Sequence, residues 1–177
     1  MRKVFNFLGY QLVWFAAVLG AARGWTWLGP MAVLLLGSVQ LLVSTQRRAD
    51  ARLALLAIAA GFALDGGLSL LDLARYAAAS PPWPPAWLLA IWAAFGLTLN
   101  HSFVLAQRHL GASALVAAAG GPLAYWSAAQ LGAVAFPQPA WRGLAVLALA
   151  WSVALPLLAS VARGFAHTHH RMEGIRP

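Results

Sequence analysis

Six apolar runs recur along this chain, each near the ~20 residues a helix needs to cross the hydrocarbon core of a bilayer. They cover residues 4–22, 28–44, 53–74, 86–107, 112–134 and 140–162, with only short polar breaks between them. A chain written this way has few folds open to it. In lipid every backbone N–H and C=O must find its partner inside the protein, which leaves helices or a closed barrel. The alternating segments of about ten residues that mark a barrel are missing. The pattern predicts an all-α integral membrane bundle of about six transmembrane helices. None of the breaks is long enough for a separate soluble domain, so residues 1–163 read as a single transmembrane helical domain and 164–177 as a short cytoplasmic tail.

Composition agrees. The chain is 62% hydrophobic and 9% charged, where a soluble domain carries about 25% charged residues. Its formal net charge of +8 could suggest nucleic acid. The cations, however, stand singly or in small groups between the apolar runs, as expected of charges that set membrane orientation. No nucleic-acid partner is expected, and membrane lipids are. Cysteine is absent, which excludes disulfides, thiol catalysis and Cys-ligated metal.

Orientation follows from the basic residues. Arg2, Lys3, Arg47, Arg48, Arg52, Arg108, Arg163, Arg171 and Arg176 fall on one side, and only Arg23, Arg75 and Arg142 on the other. That asymmetry puts both termini in the cytoplasm, and an even number of helices independently requires the termini to share a side. Trp25, Trp27, Trp83, Trp87, Trp92, Trp126 and Trp141 gather in or near the non-cytoplasmic half, where indole rings anchor at the headgroups. The prolines of 80–85 stop a helix and stiffen a turn. Residues 1–22 also have the outline of a signal peptide, with Arg2 and Lys3 before an apolar stretch and Gly20-Ala21-Ala22 after it. Cleavage there would leave five helices and an outside N-terminus; Asn6 and Gln11 inside the stretch favour retention.

Whatever the chain does rests on the polar residues inside its spans, because lipid gives them no partners. Asp65, Ser69, Asp72 and Tyr76 are spaced to share one helical face. An ionised Asp65 in mid-membrane costs about 2.5–3.5 kcal/mol on insertion scales, so it must be protonated, paired or wet. It is a candidate proton or cation site, or a structural hydrogen bond to another helix. Asp72 lies near the interface and is expected to pair with an arginine. Thr98-Leu99-Asn100-His101-Ser102 puts four polar side chains into the fourth run. Asn100 shares a face with Gln107, and Asn100 and His101, with Asn6 and Gln11 of the first helix at comparable depth, could form one hydrogen-bonded layer. His101 could relay protons, since its unperturbed pKa lies near neutrality. Gly120-Gly121-Pro122 predicts a kink or break in the fifth helix, and Pro156 another in the sixth. Tyr125 matches Asp65 in depth, so a hydrogen bond between them is expected. His167-Thr168-His169-His170 in the tail is a weak metal-capture motif beside a solvated tail touching anionic headgroups. No phosphate loop, zincin, serine-elbow or calcium-loop motif is present, and neither a metal nor a cofactor is expected.

Asn6-Phe7 with Gln11 and Trp14, Gly29-Pro30, Asp65, Leu99-Asn100-His101-Ser102 and Gly120-Gly121-Pro122-Leu123-Ala124-Tyr125 together resemble a bacterial family of small integral membrane proteins known only as a domain of unknown function. The resemblance covers nearly the whole chain except the tail. It implies an inner-membrane protein of Gram-negative bacteria, sometimes encoded near lipid-modifying enzymes such as relatives of cyclopropane-fatty-acid synthase. It implies no reaction and no site.

The leading functional expectation is transport or handling of a small solute or lipid through a polar intramembrane cavity. Its candidate lining residues are Asn6, Gln11, Asp65, Ser69, Asn100, His101, Ser102, Gly120, Gly121, Pro122 and Tyr125. The alternative is a membrane enzyme, or the accessory partner of a lipid-modifying enzyme, with His101 as the acid/base. A third is a structural membrane subunit whose polar residues only hold helices together.

Overall fold

The computed structural model describes residues 2–173, with side chains placed over 3–165. Among them are seven helices: α1 (Arg2–Ala22), α2 (Leu28–Val43), α3 (Arg47–Leu70), α4 (Ala86–Thr98), α5 (Val104–Arg108), α6 (Leu110–Gln130) and α7 (Trp141–Glu173). A short ribbon pairs β1 (Arg75–Tyr76) with β2 (Val134–Ala135). Three helices, α1, α3 and α7, are long and apolar enough to cross a membrane; α2 and α4 are shorter apolar helices. The protein is thus all-helical and consistent with a membrane protein.

Three helix ends share one device. At Gly24, Asp72 and Gly132 the chain turns into the left-handed region, with φ of 81°, 51° and 88°. In each case the N–H of that residue and of the one after it reach back to orphan carbonyls of the last turn, as when Gly24 bonds to Ala21 and Trp25 to Gly20. This is the Schellman arrangement, which glycine makes at least steric cost. At the end of α3 the position is filled by Asp72, one of the few other side chains that tolerates it. Its carboxylate takes both Arg75 N–H groups, at 2.7 and 2.8 Å, so the expected pairing with an arginine is present. These bonds hold its carboxyl below the usual carboxylate range. The chain then runs directly into β1, antiparallel to β2 with Tyr76 opposite Val134. The ribbon ties the α3–α4 connection to the α6–α7 connection.

The centre of the bundle is α4. Ten of its thirteen residues are buried, and it packs against α1, α2 and α3. It meets α3 backbone to backbone at Gly96, where an added Cβ would stand 2.6 Å from the Leu53 carbonyl oxygen. α6 packs on α7, and α7 on α3 and α5. The outer faces carry large apolar side chains such as Leu35, Leu42, Leu115 and Leu149, each about 70% exposed or more. Water would penalise so continuous an apolar surface, whereas lipid would not.

The structure corrects several expectations. The run 86–107 is not one helix. It stops at Thr98, turns through 99–103 and resumes as the five-residue α5. Asn100, His101 and Ser102 turn their side chains to distant partners, Asp50 and Asn6, rather than lie within a helix. α3 ends at Leu70, so Asp65, Ser69, Asp72 and Tyr76 do not share a helical face; Tyr76 lies on β1. α6 runs unbroken through Gly120, Gly121 and Pro122, and α7 through Pro156 into the tail. Gly121 instead seats the Trp151 ring, 2.4 Å from where its Cβ would be. Trp87 and Trp92 are 1% and 2% exposed core residues rather than interfacial anchors, while Trp25, Trp27, Trp83 and Trp141 are well exposed. The side chains of His167 to His170 lie outside the described residues.

Candidate functional site

Two buried carboxylates organise the polar interior. Asp65 on α3 is fully buried. Tyr76 and Tyr125 donate their hydroxyls to Oδ1 at 2.8 and 2.7 Å, and Trp92 donates its indole N–H to Oδ2 at 2.7 Å. The Tyr125 bond is the one expected from matched depth. The β1–β2 ribbon swings Tyr76 over the acid, α4 supplies Trp92 and α6 supplies Tyr125. All three partners are neutral donors, which suits an acceptor-only carboxylate. Ser69 is not one of them. Among the described residues no cation pairs with Asp65, and the ring of donors encloses it.

The second carboxylate is Asp50, in the first turn of α3 and also fully buried. Ser44 donates to Oδ2 at 2.6 Å, Asn100 Nδ2 donates to Oδ1 at 2.9 Å, and His101 Nε2 lies 3.0 Å from Oδ2. An ionised carboxylate accepts only, so Nε2 is the donor here. The His101 side chain is 30% exposed and that of Asp50 1%. This is a positioned imidazole backed by a carboxylate, an arrangement capable of general acid–base chemistry. The position at the N-terminal end of α3 also suits a negative charge.

A chain of amides extends from this pair. Gln107 Nε2 donates to the Leu99 carbonyl and, at 3.4 Å, approaches Asn100 Oδ1. The Ser102 hydroxyl lies 2.6 Å from Asn6 Oδ1 and 2.7 Å from the Lys3 carbonyl, and donates to one at a time. Asn6 donates to Gln40 at 2.6 Å, and Gln40 donates onward to the Leu97 carbonyl. The expected layer therefore exists in part: Asn100 and His101 meet on Asp50, while Asn6 bonds Gln40 and Ser102 instead. Gln11 is not in it.

Two cavities adjoin these networks. The smaller, about 360 Å³, is lined by Asn6, Gln40, Ser44, Gln46, Asn100 and His101 among others. The larger, about 750 Å³, is a groove between α1 and α6, floored by α4 and backed by α7. Gln11, Gly120, Gly121 and Tyr125 line it, and Asn100 and His101 do not. The single cavity expected around Asp65, Tyr125, Asn100 and His101 is not formed: Tyr125 lines one cavity, Asn100 and His101 the other, and Asp65 lines neither. Trp92 stacks on Trp151 in the groove wall, with centroids 4.6 Å apart and planes at 12°. The Trp92 N–H is spent on Asp65, while that of Trp151 is buried with no hydrogen-bond partner. Among the described residues no group of three His, Cys, Asp or Glu is placed to hold a metal ion.

Gln40, Ser44 and Asp50 were not singled out from the sequence, and Trp92 was read there as an interfacial anchor. Gln40 is a lone amide in an apolar run and carried the same signal as Asn6. Asp50 stands among Arg47, Arg48 and Arg52 and reads as one more loop charge. Nothing local connects it to His101, fifty-one residues later.

No curated protein and no solved structure matches the chain. The family described as protein of unknown function DUF2878 matches residues 3–157, a stretch that holds both carboxylates, both cavities and every helix from α1 into α7, and the chain belongs to that family.

Proposed function

We propose that the chain is a multi-pass protein of the bacterial inner membrane, with both termini in the cytoplasm, that takes a membrane lipophile into the groove between α1 and α6. The observation that carries this reading is the packing. α1 is held by α2 and α4, and α6 by α7. Between them lies an apolar groove of about 750 Å³, within the usual range for small-molecule sites. On the membrane reading that groove faces lipid rather than water. Asp65 serves as the fixed point behind it, holding Tyr125 and Trp92 in the groove wall.

The test is fluorescence quenching in lipid nanodiscs whose phospholipid is brominated in mid-chain. The groove tryptophans should be quenched, and Gly120→Leu, at a groove position with nothing within 4 Å, should reduce that quenching. Equal quenching in the two proteins would refute the reading. The orientation is tested separately, since the chain has no cysteine of its own. Thr45→Cys should react with an impermeant maleimide only after cells are opened, and Ser80→Cys in cells whose outer membrane alone is permeabilised.

The Asp50–His101 pair favours a second reading, a membrane enzyme or its accessory partner in lipid modification with His101 as the acid/base. Comparing the lipids of a deletion strain, the restored strain and a His101→Ala strain at matched abundance tests it. A lipid class restored by the intact chain but not by the variant supports this reading, and an unchanged lipidome removes it.

A further inference from the structure

Ten of the side chains lining the α1–α6 groove are aromatic. Tyr10 and Trp14 come from α1, Trp92 and Phe95 from α4, Trp126 from α6 and Trp151 from α7. The rings already pack by stacking and edge contacts, as Tyr10 with Phe95 at 6.2 Å and Trp151 with Phe95 at 5.3 Å. Flat conjugated rings gain from such partners beyond simple burial. A saturated acyl chain gains no such term.

The same groove holds polar groups with nothing to bind. Gln11 and Tyr10, adjacent on α1, both line it, and neither side chain makes a hydrogen bond among the described residues. Asn6, Gln40, Asn100 and Gln107, by contrast, are all bonded. An unbonded amide in an apolar setting is costly, and lipid cannot relieve it. Gln11 is eight residues from Lys3, about 12 Å along the helix, which on the membrane reading is near the middle of a core about 30 Å thick. The ester carbonyls of phospholipids sit at the interface, above that level. An acceptor meeting Gln11 there must belong to a molecule that is lipophilic throughout.

We propose that the groove binds a planar, conjugated lipophile bearing a ring carbonyl, of which a quinone ring with an apolar tail is the simplest form. The ring lies among the groove aromatics, and its carbonyl oxygen accepts from the Gln11 amide or the Tyr10 hydroxyl. This rests on the groove reading above and narrows it to one ligand class.

The experiment uses the full chain in nanodiscs, titrated with decylubiquinone and, separately, with decylbenzene, a ring and tail of the same kind without the carbonyls. Binding is read from tryptophan quenching by decylubiquinone, and for decylbenzene from its competition with brominated lipid. The intact chain should bind decylubiquinone in preference. Gln11→Leu should weaken decylubiquinone about tenfold, leave decylbenzene unchanged, and leave the unfolding midpoint equal or higher. That last readout separates ligand recognition from a structural amide, whose loss would lower the midpoint. Tyr10→Phe should weaken decylubiquinone by a smaller factor. Equal affinity for the two compounds, or no effect of Gln11→Leu on decylubiquinone, overturns the proposal. Brominated-lipid quenching relieved by Gly120→Leu without decylubiquinone binding overturns it while sparing the groove reading; no quenching by any probe overturns both.

Discussion

The Asp65 cluster gives the most quantitative prediction. Tyr76, Trp92 and Tyr125 each donate to Asp65 at 2.7–2.8 Å, and the acid is fully buried. In water-soluble proteins a hydrogen bond to a charged group contributes about 1.5–3 kcal/mol. Between membrane helices the measured average is about 0.6 and the maximum about 1.7, because polar groups in the unfolded, inserted chain also find partners. Good geometry and complete enclosure place these bonds toward the upper end, at about 1 kcal/mol each. Asp65→Ala removes one acceptor set and strands three donors, so its cost should be about 3 kcal/mol before any cavity term. Tyr125→Phe removes one bond and should cost about 1 kcal/mol. Once Asp65 is gone, Tyr125 has lost its acceptor, so Tyr125→Phe in the Asp65→Ala background should cost close to nothing. The coupling in this double-mutant cycle is then about 1 kcal/mol. Equilibrium unfolding in mixed detergent with rising SDS, followed by tryptophan fluorescence, measures all four proteins. Additive costs, or an Asp65→Ala cost below that of Tyr125→Phe, would refute the view that one carboxylate joins α3, α4, α6 and the ribbon.

Other predictions are simpler. Gly96→Ala places a methyl group 2.6–2.9 Å from α3 backbone atoms and should destabilise by about 1–3 kcal/mol. Gly67→Ala, also helical but with nothing within 4 Å, should be neutral or stabilising by up to about 1 kcal/mol, and the pair separates packing from propensity in the same unfolding assay. Asp50→Ala strands Ser44, Asn100 and His101 and should cost about 3 kcal/mol, against about 1 for Ser44→Ala. Asp72 has a lowered pKa, so its pairing with Arg75 contributes above the ordinary value of 3.8 and is lost as pH falls through the lower folded value. The difference in thermal midpoint between the intact chain and Asp72→Asn should therefore be present at neutral pH and close below that ordinary value; a difference that grows in acid would contradict it.

What could be read from the sequence was what depends on counting along the chain. Apolar run length marked α1, α2 and α6 to within four residues, while α3 begins six residues earlier than its run and α7 continues past its own; matched depth along α3 and α6 brought Tyr125 to Asp65. What could not be read depends on partners distant in sequence. Residues 99–103 look like helix interior when only apolarity is counted. They turn because Asp50 and Asn6 offer Asn100, His101 and Ser102 better partners than a helix does. Tyr76 reaches Asp65 through the ribbon, and its pairing with β2 has no local signature. Proline at 122 argued for a kink or a break, and there is no break: α6 is continuous across it, with Gly121 seating the Trp151 ring. Asn6 and Gln11 looked equivalent, both amides on one helix. Only the placement of α2 and α6 separates the bonded one from the unbonded one.

The break after Thr98 has a consequence for how the protein is made. The run 86–107 is long enough to enter a bilayer as one helix, but the finished α4 has thirteen residues, about 20 Å of a core about 30 Å thick. The groups that draw residues 99–103 out of the helix, Asn6 on α1 and Asp50 on α3, are synthesised first. On the membrane reading, a ribosome delivering this chain to the bilayer lays down the acceptors before the turn that needs them. A circular permutant that emits α4 ahead of α3 would reach the membrane with the imidazole and no carboxylate to hold it.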